Sequence, residues 1–147
     1  MLIRLLPEQA SSHWNDIKRA VEESLPPTVG GQSDRMQNIL RSILTEDMIV
    51  WISTEQREGK NIITGMVLTS FVFDGNSGTK SLLIYVVYGY GEALSASWND
   101  GLETLKKFAK ANSCHRVIGY TNVPSLIMLA KRAGANVDYT FVSFPLE

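Results

Sequence analysis

The sequence predicts a single α/β domain of the α+β type, with a mixed central sheet of about six strands flanked by four helices. The apolar run Leu82–Tyr88 suits a strand that is buried on both faces in the middle of a sheet. Residues 97–111 repeat apolar side chains at helical spacing, which predicts a long amphipathic helix after that strand. No repeat, low-complexity tract or linker interrupts the chain, so residues 1–147 are expected to form one domain.

The other elements follow from hydrophobic spacing and from residues that start or end helices. Ser11 or Ser12 is expected to cap the first helix, and Pro26 to stop it. Pro124 opens the last helix, where its missing N–H is tolerated, and Gly134 suits a left-handed residue at its end. The predicted order β-α-α-β-β-β-α-β-α-β places strands at residues 2–6, 48–54, 62–73, 82–88, 116–121 and 139–144, and helices at residues 11–25, 33–44, 97–111 and 124–134.

Composition argues against several classes of protein. Charged residues make up 20% of the chain and the net charge is −1, so electrostatic capture of nucleic acid or of an anionic membrane is not expected. One cysteine and two histidines are too few soft ligands for a zinc site, and no metal is expected. The longest apolar run falls well short of the roughly 18 residues of a membrane span. Because the start lacks a signal-peptide pattern, we expect a soluble, cytoplasmic protein.

Two segments carry a resemblance to a known family. YVVYGYGEALSASWNDGLETLKKFAKA, residues 85–111, combines a strand, a glycine-bearing turn and a long helix, and RVIGYTNVPSLIMLAKRAGA, residues 116–135, combines a strand with a helix. With the order of elements over nearly the whole chain, they resemble the GNAT family of acyl-coenzyme A dependent N-acyltransferases. Asn122 and Gly134 stand near the family's Asn and helix-ending Gly, while Ala135 replaces the usual Phe. The resemblance implies a GNAT-like fold and, for an active member, acetyl-coenzyme A as the acyl donor.

The turn before the long helix departs from the family pattern. GNAT members carry an Arg or Gln and two or three glycines there, and the glycines let backbone N–H groups approach the coenzyme's pyrophosphate. The matching stretch here is ALSASW, residues 93–98, which has no glycine and no basic side chain. Gly89 and Gly91 lie a few residues earlier. A degenerate coenzyme A loop, with no cofactor bound, is therefore the favoured interpretation.

Two interpretations of this turn are open. In one, Gly89 and Gly91 open the turn and the amides that follow hold a phosphate. The cofactor-binding residues would then be Tyr88, Gly89, Gly91, Ser95, Ala96, Ser97 and Asn122. In the other, the glycines only reverse the chain, Ser97 only caps the helix, and Glu92 repels a pyrophosphate.

No spacing singles out a catalytic residue. The resemblance places Ala130 where many members carry a proton-donating Tyr. Glu92 and Tyr88 are weak candidates for the catalytic base, and Asp74 is a third.

Three functions therefore compete. The favoured hypothesis is a noncatalytic GNAT-fold binding or structural module, similar to GNAT-like components of tailed-phage particles, in the cytoplasm or in such a particle. The alternative is an acetyl-coenzyme A dependent N-acetyltransferase acting on an unidentified amine, and the third is a sensor of another small anion. A protein partner or self-association is expected, because a last strand ending in FVSFPLE could pair across an interface.

Overall fold

The computed structural model describes residues 1–89 and 93–146, with the backbone alone for residues 93–97. These residues form a mixed α+β fold, as the sequence predicts. The strands are β1 Leu2–Arg4, β2 Met48–Arg57, β3 Lys60–Asp74, β4 Thr79–Gly89 and β5 Arg116–Gly119. The helices are α1 Pro7–Ser12, α2 Trp14–Glu23, α3 Arg35–Leu44, α4 Ala93–Ala111 and α5 Pro124–Arg132.

The sheet follows the chain, with the strand order β1-β2-β3-β4-β5. The first four strands pair antiparallel, whereas β5 pairs parallel to β4 after the crossover through α4. The hairpin between β2 and β3 turns through Glu58 and Gly59, both at positive φ, which is the conformation that matches the twist of a two-residue hairpin. The long β2–β3–β4 meander forms the centre of the sheet.

Helices cover both faces of the sheet, so there are two hydrophobic cores. The first core lies under α1, α2 and α3 and contains Leu5, Ala10, Ile17, Ala20, Val21, Ile39, Ile43, Met48, Val50, Met66, Leu68 and Val86. The second core lies under α4 and contains Leu2, Ile49, Trp51, Leu82, Leu105 and Ala109. The alternation of Ile49, Val50 and Trp51 between the two cores shows that β2 is buried on both faces.

The first predicted helix differs from the observed structure. It begins at Pro7 and breaks at His13 into α1 and α2, so neither Ser11 nor Ser12 caps it. Pro7 favours the first helical position, and the Gln9 side chain accepts a 2.8 Å hydrogen bond from the Leu6 backbone N–H. The Ser12 hydroxyl instead donates to the Gln9 carbonyl oxygen at 2.8 Å.

The sixth predicted strand is absent from the described residues. Residues 139–144 follow α5 without regular secondary structure, and Tyr139 and Phe144 are 85% and 82% exposed. The composition of this segment is that of a strand, but a strand exists only where a neighbour pairs with it. Five helices and five strands are described instead of four and six. None of the described helices is long and apolar enough to cross a membrane.

Candidate functional site

The central feature of the candidate site is an opening between two parallel strands. β5 pairs with β4 only from Ser81 opposite Arg116 to Ile84 opposite Gly119. β4 continues to Gly89, still paired with β3 on its other side. Beyond Ile84, alternate backbone N–H and C=O groups of β4 therefore face away from β3 with no strand of the described chain beside them. Such an edge can pair with an extended ligand that carries amide groups.

A β-bulge marks the start of this opening. Val86 is opposite Leu68 and Ile84 is opposite Thr69, so Tyr85 is the extra residue on β4. A bulge bends its strand and increases the local twist, which turns the end of β4 away from the course of β5. Tyr85 thus lies where the two strands separate.

The N-terminus of α4 lies beyond the end of β4. The helix begins at Ala93, not near Ser97, so Ser97 is inside the helix and cannot be its cap. The first four N–H groups of a helix lack intrahelical acceptors, and in α4 these are the amides of residues 93–96. The first turn carries no acidic side chain, and the helix dipole adds partial positive charge there. This helix end can therefore attract an anion.

An apolar cavity lies between the first half of α4 and the sheet, close to the end of β4. It is lined by Met1, Leu2, Ser53, Thr64, Gly65, Met66, Val67, Ile84, Val87, Tyr88, Trp98, Gly101, Leu102 and Leu105. The Ser53 and Thr64 hydroxyl groups, 3.2 Å apart, bond to each other within it. The Trp98 indole N–H is buried and has no hydrogen-bond partner in the described part of the chain. A buried donor without an acceptor is uncommon, and a bound water or ligand would satisfy it.

A polar cleft lies on the opposite face of the sheet, beside α3. It is lined by Thr28, Val29, Gly30, Gln32, Arg35, Asn38, Ile39, Ser42, Asp47, Met48, Ser70 and Tyr85. Arg35 and Asp47 give the cleft one positive and one negative side chain, and among the described residues Arg35 makes no salt bridge. Burial raises the pKa of the Tyr85 hydroxyl above its ordinary value of 10.0, while the nearby Arg35 charge acts in the opposite direction. Tyr85 is therefore protonated at neutral pH and is a hydrogen-bond donor.

The structure brings together some of the residues predicted to bind a cofactor. Tyr88 and Gly89 lie at the open end of β4, and the backbone of residues 95–97 lies in the first turns of α4. Asn122 lies in the exposed segment between β5 and α5. Gly91 and Glu92 lie outside the described residues, so their predicted roles stay predictions.

The other residues considered at the sequence level lie apart from the opening. Asp74 lies at the β3–β4 turn, at the opposite end of β4 from Gly89. Hydrogen bonds from the Asn76 and Ser77 backbones lower the pKa of its carboxyl group, which makes it a poor base. His115, which follows Cys114 in the chain, donates a hydrogen bond of 2.8 Å from Nδ1 to the Lys80 carbonyl oxygen. This bond links the start of β5 to β4.

Sequence reasoning missed Tyr85 and Arg35. Tyr85 stands in a continuous apolar run, which gives no sign of the bulge that places it at the separation of β4 and β5. Arg35 opens α3 and is separated from Tyr85 by about a third of the chain. Only the packing of α3 on the sheet brings both residues to one cleft.

Comparison with solved structures identifies the fold. The chain is similar to a predicted acetyltransferase from Clostridium acetobutylicum solved with acetyl-CoA, at a TM-score of 0.71 and 13% identity over 99% of this chain and 96% of that one. It is similar to glucosamine-6-phosphate N-acetyltransferase from Arabidopsis thaliana, at a TM-score of 0.63 and 15% identity over 98% of this chain and 97% of that one. It is also similar to a ribosomal-protein-alanine N-acetyltransferase from Brucella melitensis, at a TM-score of 0.66 and 11% identity over 99% of both chains. The chain thus has the GNAT fold, which confirms the fold predicted from its sequence.

These likenesses, at 11–15% identity, establish the fold alone. No family model matches the sequence, and no curated protein matches it.

Proposed function

We propose that this chain binds acetyl-CoA along the open end of β4 and catalyses transfer of the acetyl group to an amine. The observation that carries this proposal is the separation of β4 from β5 beyond Ile84, together with the N-terminus of α4, which follows the end of β4 in the chain. The three solved structures compared above are acetyltransferases, and one of them was solved with acetyl-CoA. They favour the enzyme over the noncatalytic module that the turn sequence suggests.

The residues at the opening fit this donor. The outer edge of β4 beyond Ile84, which has no described strand beside it, can pair with the amides of the pantetheine arm, because an extended ligand can add to a strand edge. The amides of the first turn of α4 can hold the pyrophosphate, even though this turn has no glycine. When bound, acetyl-CoA supplies an activated acyl group that an uncharged amine can attack.

The polar cleft is the proposed entrance for the amine. The Asp47 carboxylate attracts a substrate ammonium group, and Arg35 attracts a carboxylate or phosphate on the same substrate. Tyr85 lies between the cleft and the point where β4 and β5 separate, and its raised pKa keeps the hydroxyl protonated. We assign Tyr85 the role of proton donor to the departing thiolate, in place of the Tyr that Ala130 replaces.

Thermal unfolding with and without excess acetyl-CoA tests the binding step, with coenzyme A and ATP as controls. A ligand at one hundred times its dissociation constant adds about 2.7 kcal/mol to the free energy of unfolding. For a domain of this size that predicts a shift of several degrees in the midpoint. A shift with acetyl-CoA, followed by amine-dependent release of free thiol, would support the enzyme. An unfolding midpoint that acetyl-CoA does not change would contradict the enzyme and favour the noncatalytic module.

The noncatalytic module is the second candidate. Its support is the absence of glycine from residues 93–98 and the exposed apolar segment that follows α5. The likenesses described above are to acetyltransferases and give no support to a role in a phage particle.

A further inference from the structure

The apolar cavity between α4 and the sheet, here called the α4 cavity, has the size of a small molecule. It leaves about 40 Å³ for the centres of water-sized atoms, whereas a single water molecule needs roughly 10–15 Å³. The interior therefore accommodates about three or four groups of that size. Met1 lies on the wall of the α4 cavity and is largely exposed, so the cavity reaches the surface of the chain.

Gly101 contributes to this space. It lies inside α4, a helix of 19 residues, where glycine lowers helix stability relative to alanine. Close packing does not require the glycine, because outside its own helix a Cβ at Gly101 would meet only the Leu2 side chain, at an ordinary contact distance of 3.9 Å. Gly101 is not among the glycines at positive φ either. Its missing side chain instead adds volume to the α4 cavity.

The Trp98 indole N–H is a donor that an occupant of the α4 cavity can satisfy. Trp98 lies three residues before Gly101, on the same face of the helix, and lines the same cavity. Its N–H is buried and has no hydrogen-bond partner among the described residues, which is a costly state for a polar group. The buried Trp51, by contrast, donates its indole N–H to the Thr69 hydroxyl at 2.9 Å.

A second donor lies on the β-sheet wall of the α4 cavity. The Thr64 hydroxyl is 3.2 Å from both the carbonyl oxygen and the hydroxyl of Ser53. A hydroxyl has one proton, so when Thr64 donates to the carbonyl oxygen the Ser53 hydroxyl can donate to an occupant. Both Trp98 and Ser53 thus favour an occupant that accepts hydrogen bonds.

The walls of the α4 cavity favour a neutral occupant. Among the described residues that line it, none is Asp, Glu, Lys, Arg or His. The N-terminal ammonium group of Met1 is exposed and is paired with Asp100 at 3.8 Å. A charged molecule in the α4 cavity would lose its hydration without gaining an ion-pair partner, which is strongly unfavourable.

Water alone suits the α4 cavity poorly. A buried water usually makes about three hydrogen bonds, and cavities with apolar walls stay dry. Most of the side chains that line the α4 cavity are apolar, so several waters would compete for the few polar groups there. A molecule with a small apolar body and one acceptor fills the volume and satisfies the indole N–H together.

We propose that the α4 cavity is a binding site for a small neutral carbonyl compound, such as a short ketone, ester or amide. Its carbonyl oxygen accepts a hydrogen bond from the Trp98 indole N–H, and its carbon atoms occupy the space beside Gly101. This site is separate from the polar cleft, which lies on the other face of the sheet. The proposal does not depend on acetyl-CoA binding.

Titration of the ¹⁵N-labelled full chain with butanone, without acetyl-CoA, tests the proposal. The chain has three tryptophans, so its indole N–H groups give three signals in a ¹H–¹⁵N correlation spectrum. The Trp98 indole proton should move downfield and saturate, because hydrogen bonding to a carbonyl oxygen deshields it. The Trp51 signal, whose proton already bonds to Thr69, and the Trp14 signal, from the opposite core, should stay in place. A Trp98 signal that butanone does not move, or equal movement of all three signals, would overturn the proposal.

Two variants separate the hydrogen bond from the space. Trp98→Phe keeps an aromatic ring but removes the donor, and should raise the butanone dissociation constant about tenfold, as followed on the amide signals of residues 102–105. Gly101→Ala should raise it about tenfold or more by filling the α4 cavity, yet should raise the unfolding midpoint of the ligand-free chain because alanine favours the helix.

Gly75→Ala is the matched control for the glycine variant, because a Cβ at Gly75 meets nothing within 4 Å and this turn residue lies outside the α4 cavity. Its butanone affinity should equal that of the wild type. A more stable Gly101→Ala variant with weakened binding would exclude misfolding as the cause. A Gly101→Ala variant that binds butanone as tightly as Gly75→Ala would overturn the assignment of the site.

Discussion

The indole nitrogen of Trp51 donates a hydrogen bond of 2.9 Å to the hydroxyl of Thr69, and both side chains are buried. Thr69 is the β3 residue at the register shift that makes Tyr85 a bulge. The bond thus ties the middle of β2 to the position at which β4 begins to leave β5. Thr69 therefore belongs both to the packed interior and to the register shift beside the candidate site.

The two tryptophans Trp51 and Trp98 are expected to respond differently to the same substitution. Trp51→Phe leaves the buried Thr69 hydroxyl without its donor and is expected to lower the free energy of unfolding by about 1–3 kcal/mol. Trp98→Phe removes an N–H that has no partner among the described residues, so a change below about 1 kcal/mol is expected. Urea denaturation of both variants makes the comparison. Equal losses would show that the Trp51 bond contributes nothing specific.

Gly65→Ala is expected to strain the end of β4. A Cβ built on Gly65 would lie 3.1 Å from the backbone carbonyl oxygen of Tyr88, so this carbonyl must shift by a few tenths of an ångström. A loss of about 1–3 kcal/mol in stability is expected from this overpacking, together with weaker acetyl-CoA binding. Gly75→Ala is the control, because a Cβ there meets nothing within 4 Å. Calorimetric titration that gave the two variants equal affinity would contradict the proposed binding position.

Tyr85 is expected to make stability fall at alkaline pH. Burial raises the pKa of Tyr85 in the folded state above the 10.0 of the unfolded chain, so near pH 10 the folded state holds more protons than the unfolded state. The stabilisation is complete below the unfolded-state pKa of 10.0 and is lost as the pH rises through the folded-state pKa. Tyr85→Phe should flatten this decline, which Tyr139→Phe, at an exposed site, should leave unchanged. Denaturation midpoints measured from pH 8 to 11 test this prediction. Identical pH profiles for the wild type and Tyr85→Phe would mean that burial does not shift the pKa of Tyr85.

Arg35 is expected to select the acceptor if the proposed activity is correct. Because Arg35 lines the polar cleft, Arg35→Ala should raise the KM for amines that carry a carboxylate or phosphate. The increase should correspond to a loss of about 1.5–3 kcal/mol in binding free energy. The KM for neutral amines should stay the same. Arg57→Ala removes a surface arginine paired with Glu55 and serves as the control. Steady-state kinetics with matched charged and neutral amines would measure the difference. A uniform increase in KM would argue that Arg35 only supports the cleft structure.

Much of the fold could be predicted because its signals are local. Leu82 and Val86 are buried in the centre of the sheet as their apolar run indicates, and Pro124 opens α5 where its missing N–H is tolerated. Helix starts were predicted less well. Ser12 is a good capping residue, but its hydroxyl bonds to the Gln9 carbonyl oxygen inside a helix that begins at Pro7. Ser97 is also a good capping residue, but α4 begins four residues earlier, at Ala93.

The sequence by itself determined the run of elements from α3 to α5, the two-sided burial of β4 and the start of α5 at Pro124, since each depends on residue type and spacing along the chain. Only the tertiary structure decided that Tyr85 is a bulge, that Arg35 shares its cleft and that residues 139–144 have no strand beside them among the described residues. Pairing register and neighbours depend on residues far apart in the chain, and a strand-forming segment acquires its structure only when another edge satisfies its backbone.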